Sequence, residues 1–265
     1  MKKTLIALAV AASAAVSGSA MAWQTGDFDS SVDIGGSITQ IKPTWEWKIG
    51  SASTNSIDLK VEDATQSGSD NVWSNIGGKA FTILLGRTVS EYDGINAGMA
   101  PVITYGGDGF SISHPADNAP LVQLTATGKS DPSKVGAFQF RMNMFALQAA
   151  QRTSNGQYVY RQIVDTNNHQ YGNGFFQHSG YVKNFTATQV KDAITSALGG
   201  DMITIEPSSG EFGNGQASEY NSLNLKHMQG AYASEYVAHS GTLTFPKDAT
   251  PTDWKATLKV TVSYM

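Results

Sequence analysis

Hydrophobic and polar residues alternate with period two along much of this chain, and the two cleanest runs lie near its ends. In the first, Phe28, Ser30, Val32, Ile34, Gly36 and Ile38 fall on one side of an extended segment. Asp27, Asp29, Ser31, Asp33, Gly35, Ser37 and Thr39 fall on the other. In the last, Trp254, Ala256, Leu258, Val260, Val262 and Tyr264 alternate with Lys255, Thr257, Lys259, Thr261 and Ser263. Between them the pattern predicts strands at Trp45–Ile49, Ile57–Val61, Phe81–Leu85, Val102–Tyr105 and Leu121–Ala126. Further strands are predicted through Phe138, Phe140, Met142 and Met144, and at Tyr236–Phe245. Turn signals separate them: Asp93-Gly94, Gly106-Gly107-Asp108-Gly109, Ser130-Asp131-Pro132 and Asn155-Gly156. One helix interrupts the strands. Thr186 and Gln189 form a capping box, Phe185 can staple onto Val190, and Val190, Ile194 and Ala197 or Leu198 follow at helical spacing before Gly199-Gly200. The pattern is that of an all-β protein with one short helix.

Composition narrows this. A chain of 265 residues can bury one substantial core without a second domain. The absence of cysteine excludes disulfide scaffolds, thiolate-bound metals and cysteine nucleophiles. A formal net charge of −4 supplies no basic excess for nucleic acid. The first 22 residues read as an export signal: Lys2 and Lys3, an apolar run from Leu5 to Val16, and Ala20-Met21-Ala22 as cleavage site. The apolar run is shorter than the roughly 20 residues a membrane span needs. Cleavage after Ala22 is expected, leaving a mature, more acidic chain that starts at Trp23 and is secreted through the periplasm.

No chemistry of an enzyme emerges from the motifs. The sequence has no serine elbow, no zinc-protease helix and no phosphate loop. His169 and His178 stand nine residues apart without regular ligand spacing, so no metal or other cofactor is expected. Asn184-Phe185-Thr186 fits a glycosylation signal, but the helix-cap role of Thr186 accounts for it. An acid pair such as Asp33 with Glu46 keeps a glycosidase open as a rival reading, a secreted β-sandwich carbohydrate-active hydrolase.

Several separated motifs carry a resemblance. Trp23-Gln24-Thr25-Gly26-Asp27-Phe28, Val32-Asp33-Ile34-Gly35-Gly36-Ser37-Ile38-Thr39, Trp45-Glu46-Trp47-Lys48, Ile83-Leu84-Leu85-Gly86-Arg87-Thr88 and the ending Val260-Thr261-Val262-Ser263-Tyr264-Met265 are similar to the kappa-class fimbrial major subunits and adhesins of enterobacteria. The matching covers about the first 90 residues and the last dozen. Those subunits are assembled by a periplasmic chaperone and an outer-membrane usher into a cell-surface fimbrium. The resemblance implies an incomplete immunoglobulin-like sandwich, completed by donor-strand exchange, with an inserted segment at about 150–235 carrying the helix. Residues 23–39 would be the donor extension and 40–265 the pilin and adhesin domain. Phe28, Ser30, Val32, Ile34, Gly36 and Ile38 would enter the neighbouring identical subunit, the four apolar side chains contributing about 6–12 kcal/mol gross. Gly36 would permit close approach at a shallow pocket, or mark a plain bulge. Leu258, Val260, Val262 and Tyr264 would meet the chaperone, or simply pack inward as a core strand. An outer-membrane barrel also ends in an alternating aromatic strand, but it needs at least eight lipid-facing strands, and about three such runs occur here.

The same resemblance implies an adhesive role toward a host glycoprotein or glycolipid. Sugars are held by aromatic faces and planar polar groups on loops carried by a rigid scaffold. The stretch from Tyr158 to Lys183 is richest in these, and Tyr158, Arg161, His169, Tyr171, Asn173, Phe175, Phe176, His178 and Tyr181 are the candidate carbohydrate-binding residues. For single aromatics there the competing role is core packing. A polar region from Asn214 to Tyr236, with Tyr220, His227, Tyr232 and Tyr236, is the second candidate. The expected function is a non-enzymatic fimbrial subunit and adhesin.

Overall fold

The computed structural model describes residues 35–36, 45–51, 56–94, 98–113, 119–165, 177–178, 192, 194–196 and 212–264. The chain divides into two units, residues 1–41 and 42–265. Within the first, Gly35 and Gly36 are exposed and belong to no strand, and the space where a Cβ would stand on either is open. The other expected donor residues, Phe28, Ser30, Val32, Ile34 and Ile38, lie outside the described residues.

The second unit is an all-β, sandwich-like fold. Its strands are β1 (Trp45–Ile49), β2 (Thr65–Ser67), β3 (Asp70–Ile76), β4 (Phe81–Thr88), β5 (Pro101–Gly106), β6 (Ser111–Ser113), β7 (Leu121–Gly128) and β8 (Val135–Arg152). They continue with β9 (Tyr158–Asp165), β10 (Gln177–His178), β11 (Phe212–Gly215), β12 (Leu225–Tyr236), β13 (Gly241–Pro246), β14 (Trp254–Ala256) and β15 (Lys259–Tyr264). Strand β8 belongs to both layers. Its first half pairs with β7 and β13, and its second half with β12 and β9. One layer runs β1-β4-β12-β8-β9, the other β2-β3-β13-β8-β7. The stretch expected as an insertion thus supplies β12, which lies between β4 and β8.

Burial explains the patterns. Phe138, Phe140, Met142 and Met144 alternate inward along β8 and join Trp73, Ile83, Tyr105, Val122, Tyr232, Tyr236, Leu243 and Phe245 in one core. From Met144 to Ala150 every residue of β8 is buried. Met144 and Ala146 face that core, while Phe145, Leu147 and Ala149 pack with Leu85, Tyr160 and Ile194 in a second cluster. Ile194, 1% exposed, stands in a helical stretch at 194–196, within the predicted helix; its capping residues lie outside the described part. Three hydroxyls in the core satisfy one another: the Tyr105 hydroxyl donates to Ser234 Oγ at 3.0 Å and lies 2.8 Å from the Tyr232 hydroxyl, and Ser234 Oγ accepts from the Leu84 amide.

Three expectations are corrected. Ile57–Val61 is not a strand; it is extended coil ending in a 3-10 turn at Val61–Asp63. Its alternation records one-sided packing of Ile57 and Leu59 on the core, and the Lys60 carbonyl is taken by the Trp73 indole N–H at 2.7 Å. Tyr236–Phe245 is not one strand either: β12 ends at Tyr236, and the chain turns through residues 237–240 before β13. The C-terminal run splits into β14, paired with β7, and β15, paired with β5. The break falls at Thr257, whose carbonyl passes so close to Gly107 that a Cβ there would stand 2.4 Å away. Inward alternation continues across the break, so period two hides it.

Burial raises the Tyr105 hydroxyl to about 12, with its bonds to Ser234 and Tyr232 pulling the other way, and burial also raises Tyr220 and Tyr232. A tyrosine in the unfolded chain ionises near about 10. These hydroxyls therefore contribute stability that is intact below about pH 10 and is lost as pH climbs through the folded-state values. Urea unfolding should show stability falling between about pH 10 and 12, and Tyr105→Phe should flatten that fall. The same slope in wild type and variant would contradict it.

Candidate functional site

Two places combine position with incomplete closure. The first is the C-terminal strand. Register places Val260 beside Tyr105, Val262 beside Ile103 and Tyr264 beside Pro101, so every second residue of β15 faces the core. Leu258, Val260, Val262 and Tyr264 pack against that core yet remain half-buried, as do Ile57, Leu59, Phe110, Ile112 and Trp254. Among the described residues, β15 pairs only with β5, and β5 only with β15. A strand with one partner presents a second edge of amides and carbonyls, and its inward side chains have no full cover.

The aromatic residues beside it are tightly held. Trp45 and Trp47, both on the inward face of β1, stack with centroids 5.3 Å apart and planes at 11°. Trp45 is buried, donates to the Met99 carbonyl at 2.8 Å and meets Tyr220 edge-on. Trp47 crosses β4 at Gly86, where a Cβ would stand 2.1 Å from its ring. The indole N–H of Trp47 donates to the Tyr264 hydroxyl at 2.8 Å.

The second place is a polar cleft of about 310 Å³, lined by Arg152, Ser154, Arg161, Glu219, Ser222, Asn224 and Leu225. Turn residues 153–155 at the Asn155-Gly156 signal fold β8 back onto β9 and bring Arg152 and Arg161 to one end of the layer. A 3-10 turn at Ala217–Asn221 brings Glu219, which pairs with Arg161. The turn is fixed from beneath: Tyr220 is fully buried with its hydroxyl on the Leu147 carbonyl, and Gln148 Nε2 donates to the Glu219 carbonyl at 2.9 Å. A guanidinium fork and a carboxylate side by side offer donors and acceptors in fixed directions, suited to a polyhydroxylated ligand.

The structure brings only part of the expected carbohydrate site to this cleft. Arg161 lines it. Tyr158 is partly buried against the second cluster. His178 is placed by its backbone alone, in β10 beside Asp165 of β9. His169, Tyr171, Asn173, Phe175, Phe176 and Tyr181 lie outside the described residues. The second candidate region is corrected: Tyr220, Tyr232 and Tyr236 are fully buried, and their hydroxyls are spent on internal partners. His227 is exposed, with Nδ1 3.2 Å from Glu91. Of the other lining residues, Glu219, Ser222 and Asn224 fall inside the second candidate region without having been singled out, and Arg152 and Ser154 lie outside both regions. The Asn155-Gly156 turn was the usable signal for Arg152 and Ser154; nothing in spacing links Glu219 to Arg161, 58 residues away. Among the described residues, no three acidic, histidine or cysteine side chains gather to hold a metal.

Comparison with known proteins adds to this geometry. The family model described as "Fimbrial, major and minor subunit" matches residues 1–265. The chain is 27% identical over 248 residues to the K88 minor fimbrial subunit FaeI of Escherichia coli, covering 92% of each chain. It is 49% identical over 148 residues to the K88 fimbrial protein AC of Escherichia coli, 54% of this chain and 48% of that one. It is 62% identical over 52 residues to the F41 fimbrial protein of Escherichia coli, 19% of this chain and 18% of that one.

The cleft pair differs from the surface pair Glu46–Arg87. Side chains of Arg161 and Glu219 are 16% and 33% exposed, against 49% and 48% for Arg87 and Glu46. Glu219→Gln should therefore cost about 1 kcal/mol in urea unfolding, and Glu46→Gln less than about 0.5 kcal/mol. Equal costs would contradict the positional difference.

Proposed function

The chain belongs to the family of major and minor fimbrial subunits, and on that premise we propose that it is a major, adhesive subunit polymerised by donor-strand exchange. The family is one of structural subunits of a cell-surface fimbrium, so the protein is not an enzyme, and the hydrolase reading falls away.

The observation that carries the assembly half is β15, with one partner among the described residues and an inward row left half-covered. Strand addition at such an edge gains main-chain hydrogen bonds along the ladder and specificity from alternate side chains, as in chaperone–pilin complementation. In the periplasm a chaperone would lend the strand, and at the usher the extension of the next subunit would replace it. Phe28, Val32, Ile34 and Ile38, separated by multiples of two, fall on one face of an extended segment and suit pockets along a sheet edge. The incomplete sandwich is then immunoglobulin-like and complete only in company.

The adhesive half rests on the cleft. Its fixed Arg161–Glu219 pair supports recognition of a host glycoprotein or glycolipid through sugar hydroxyls, and in sequence β9 leads into the stretch that holds Tyr171, Phe176 and His178.

Deleting Trp23–Thr39 should leave a subunit that is still captured by chaperone but forms no fibres; fibres of normal length would refute the exchange. Arg161→Lys keeps the charge and loses the planar fork. Fibres of this variant should assemble normally and lose most binding on a glycan array, and full retention would move the sugar site elsewhere.

A further inference from the structure

The end of β15 is held by something other than its ladder. Its last rung pairs Tyr264 with Pro101. Proline has no N–H, so at most one main-chain hydrogen bond forms there. Trp47, 217 residues away on a strand of a different sheet, supplies the missing restraint through its indole N–H on the Tyr264 hydroxyl. The donor is itself immobilised by stacking on Trp45, by the bare backbone of Gly86 beneath it and by the Tyr232 ring 6.0 Å away. A donor already fixed loses little freedom when it bonds, and a partly buried bond meets less competition from water.

We propose that Trp47 is the positioning residue of the C-terminal strand: it docks the penultimate ring of the chain on the subunit's own first strand, so that Tyr264 sets the register of β15 and is not a free ring for the chaperone to grasp. The inference rests on the assembly reading above. Trp47 thereby controls whether the edge that accepts a borrowed strand is presented straight, while the chaperone reads that edge through its main chain.

Hydrogen exchange on the full chain, with Trp47→Phe, Tyr264→Phe and the double variant, tests it. Each single change should speed exchange of the Lys259–Tyr264 amides about fivefold, as expected for one lost hydrogen bond, and leave the β8 and β12 amides unchanged. The double variant should exchange no faster than either single one, and chaperone capture should fall in step in all three. Trp47→Phe with wild-type exchange and capture, or a double variant showing the product of both effects, would overturn the proposal. If Trp47→Phe does not fold, Tyr264→Phe decides alone, because it keeps every ring, and unchanged β15 exchange would overturn the proposal. Wild-type chain that no chaperone captures would sink the assembly reading, while the exchange cycle still decides the role of Trp47.

Discussion

A strand with one partner leaves a row of main-chain donors and acceptors open to another chain, and half-covered apolar side chains beside it favour such an addition. Among the described residues, strand β15 has both features. It has β5 on one side, and its inward residues Leu258, Val260, Val262 and Tyr264 touch the core without being sealed from water. With no cysteine in the chain, no disulfide can staple this side shut. In the function proposed, the cover is a strand passed from chaperone to subunit and from subunit to subunit.

The two layers of the remaining fold are tied together without β15. Strand β8 ties the two layers together by pairing with β7 and β13 in one half and with β12 and β9 in the other. Beyond Met144 its second face is covered by the cluster around Leu85, Tyr160 and Ile194, and the cleft lies at the β8–β9 turn. The rings of Trp45, Trp47, Tyr220 and Tyr232 make a rigid frame between β1 and the core. Tyr264 joins this frame through Trp47, and the cleft turn that carries Glu219 is anchored on the same frame through Tyr220.

Much of the fold was legible because half-buried strands write period two into the sequence. Trp45–Ile49, Phe81–Leu85, Val102–Tyr105 and Leu121–Ala126 all fall inside observed strands. The same rule misleads where one-sided burial occurs without pairing, as at Ile57 and Leu59, and where a chain changes partner without changing face, as at Thr257. The tyrosines of the second candidate site misled for another reason. A polar neighbourhood in sequence says nothing of a hydroxyl's partner, and Tyr232 finds Tyr105, 127 residues away. The cleft is half legible: Arg161 stood among candidates chosen by composition, but Glu219 reaches it only through a turn held by the buried Tyr220.

In the function proposed, the edge of β15 that has no partner among the described residues accepts residues 23–39. A synthetic peptide of residues 23–39, added in excess to chain lacking its own copy, tests this directly by amide exchange across Lys259–Tyr264. Binding to the folded form alone must both protect that edge and raise the unfolding midpoint with peptide concentration. The account predicts both, with protection concentrated in β15; a peptide that leaves β15 exchange and the midpoint unchanged would contradict it.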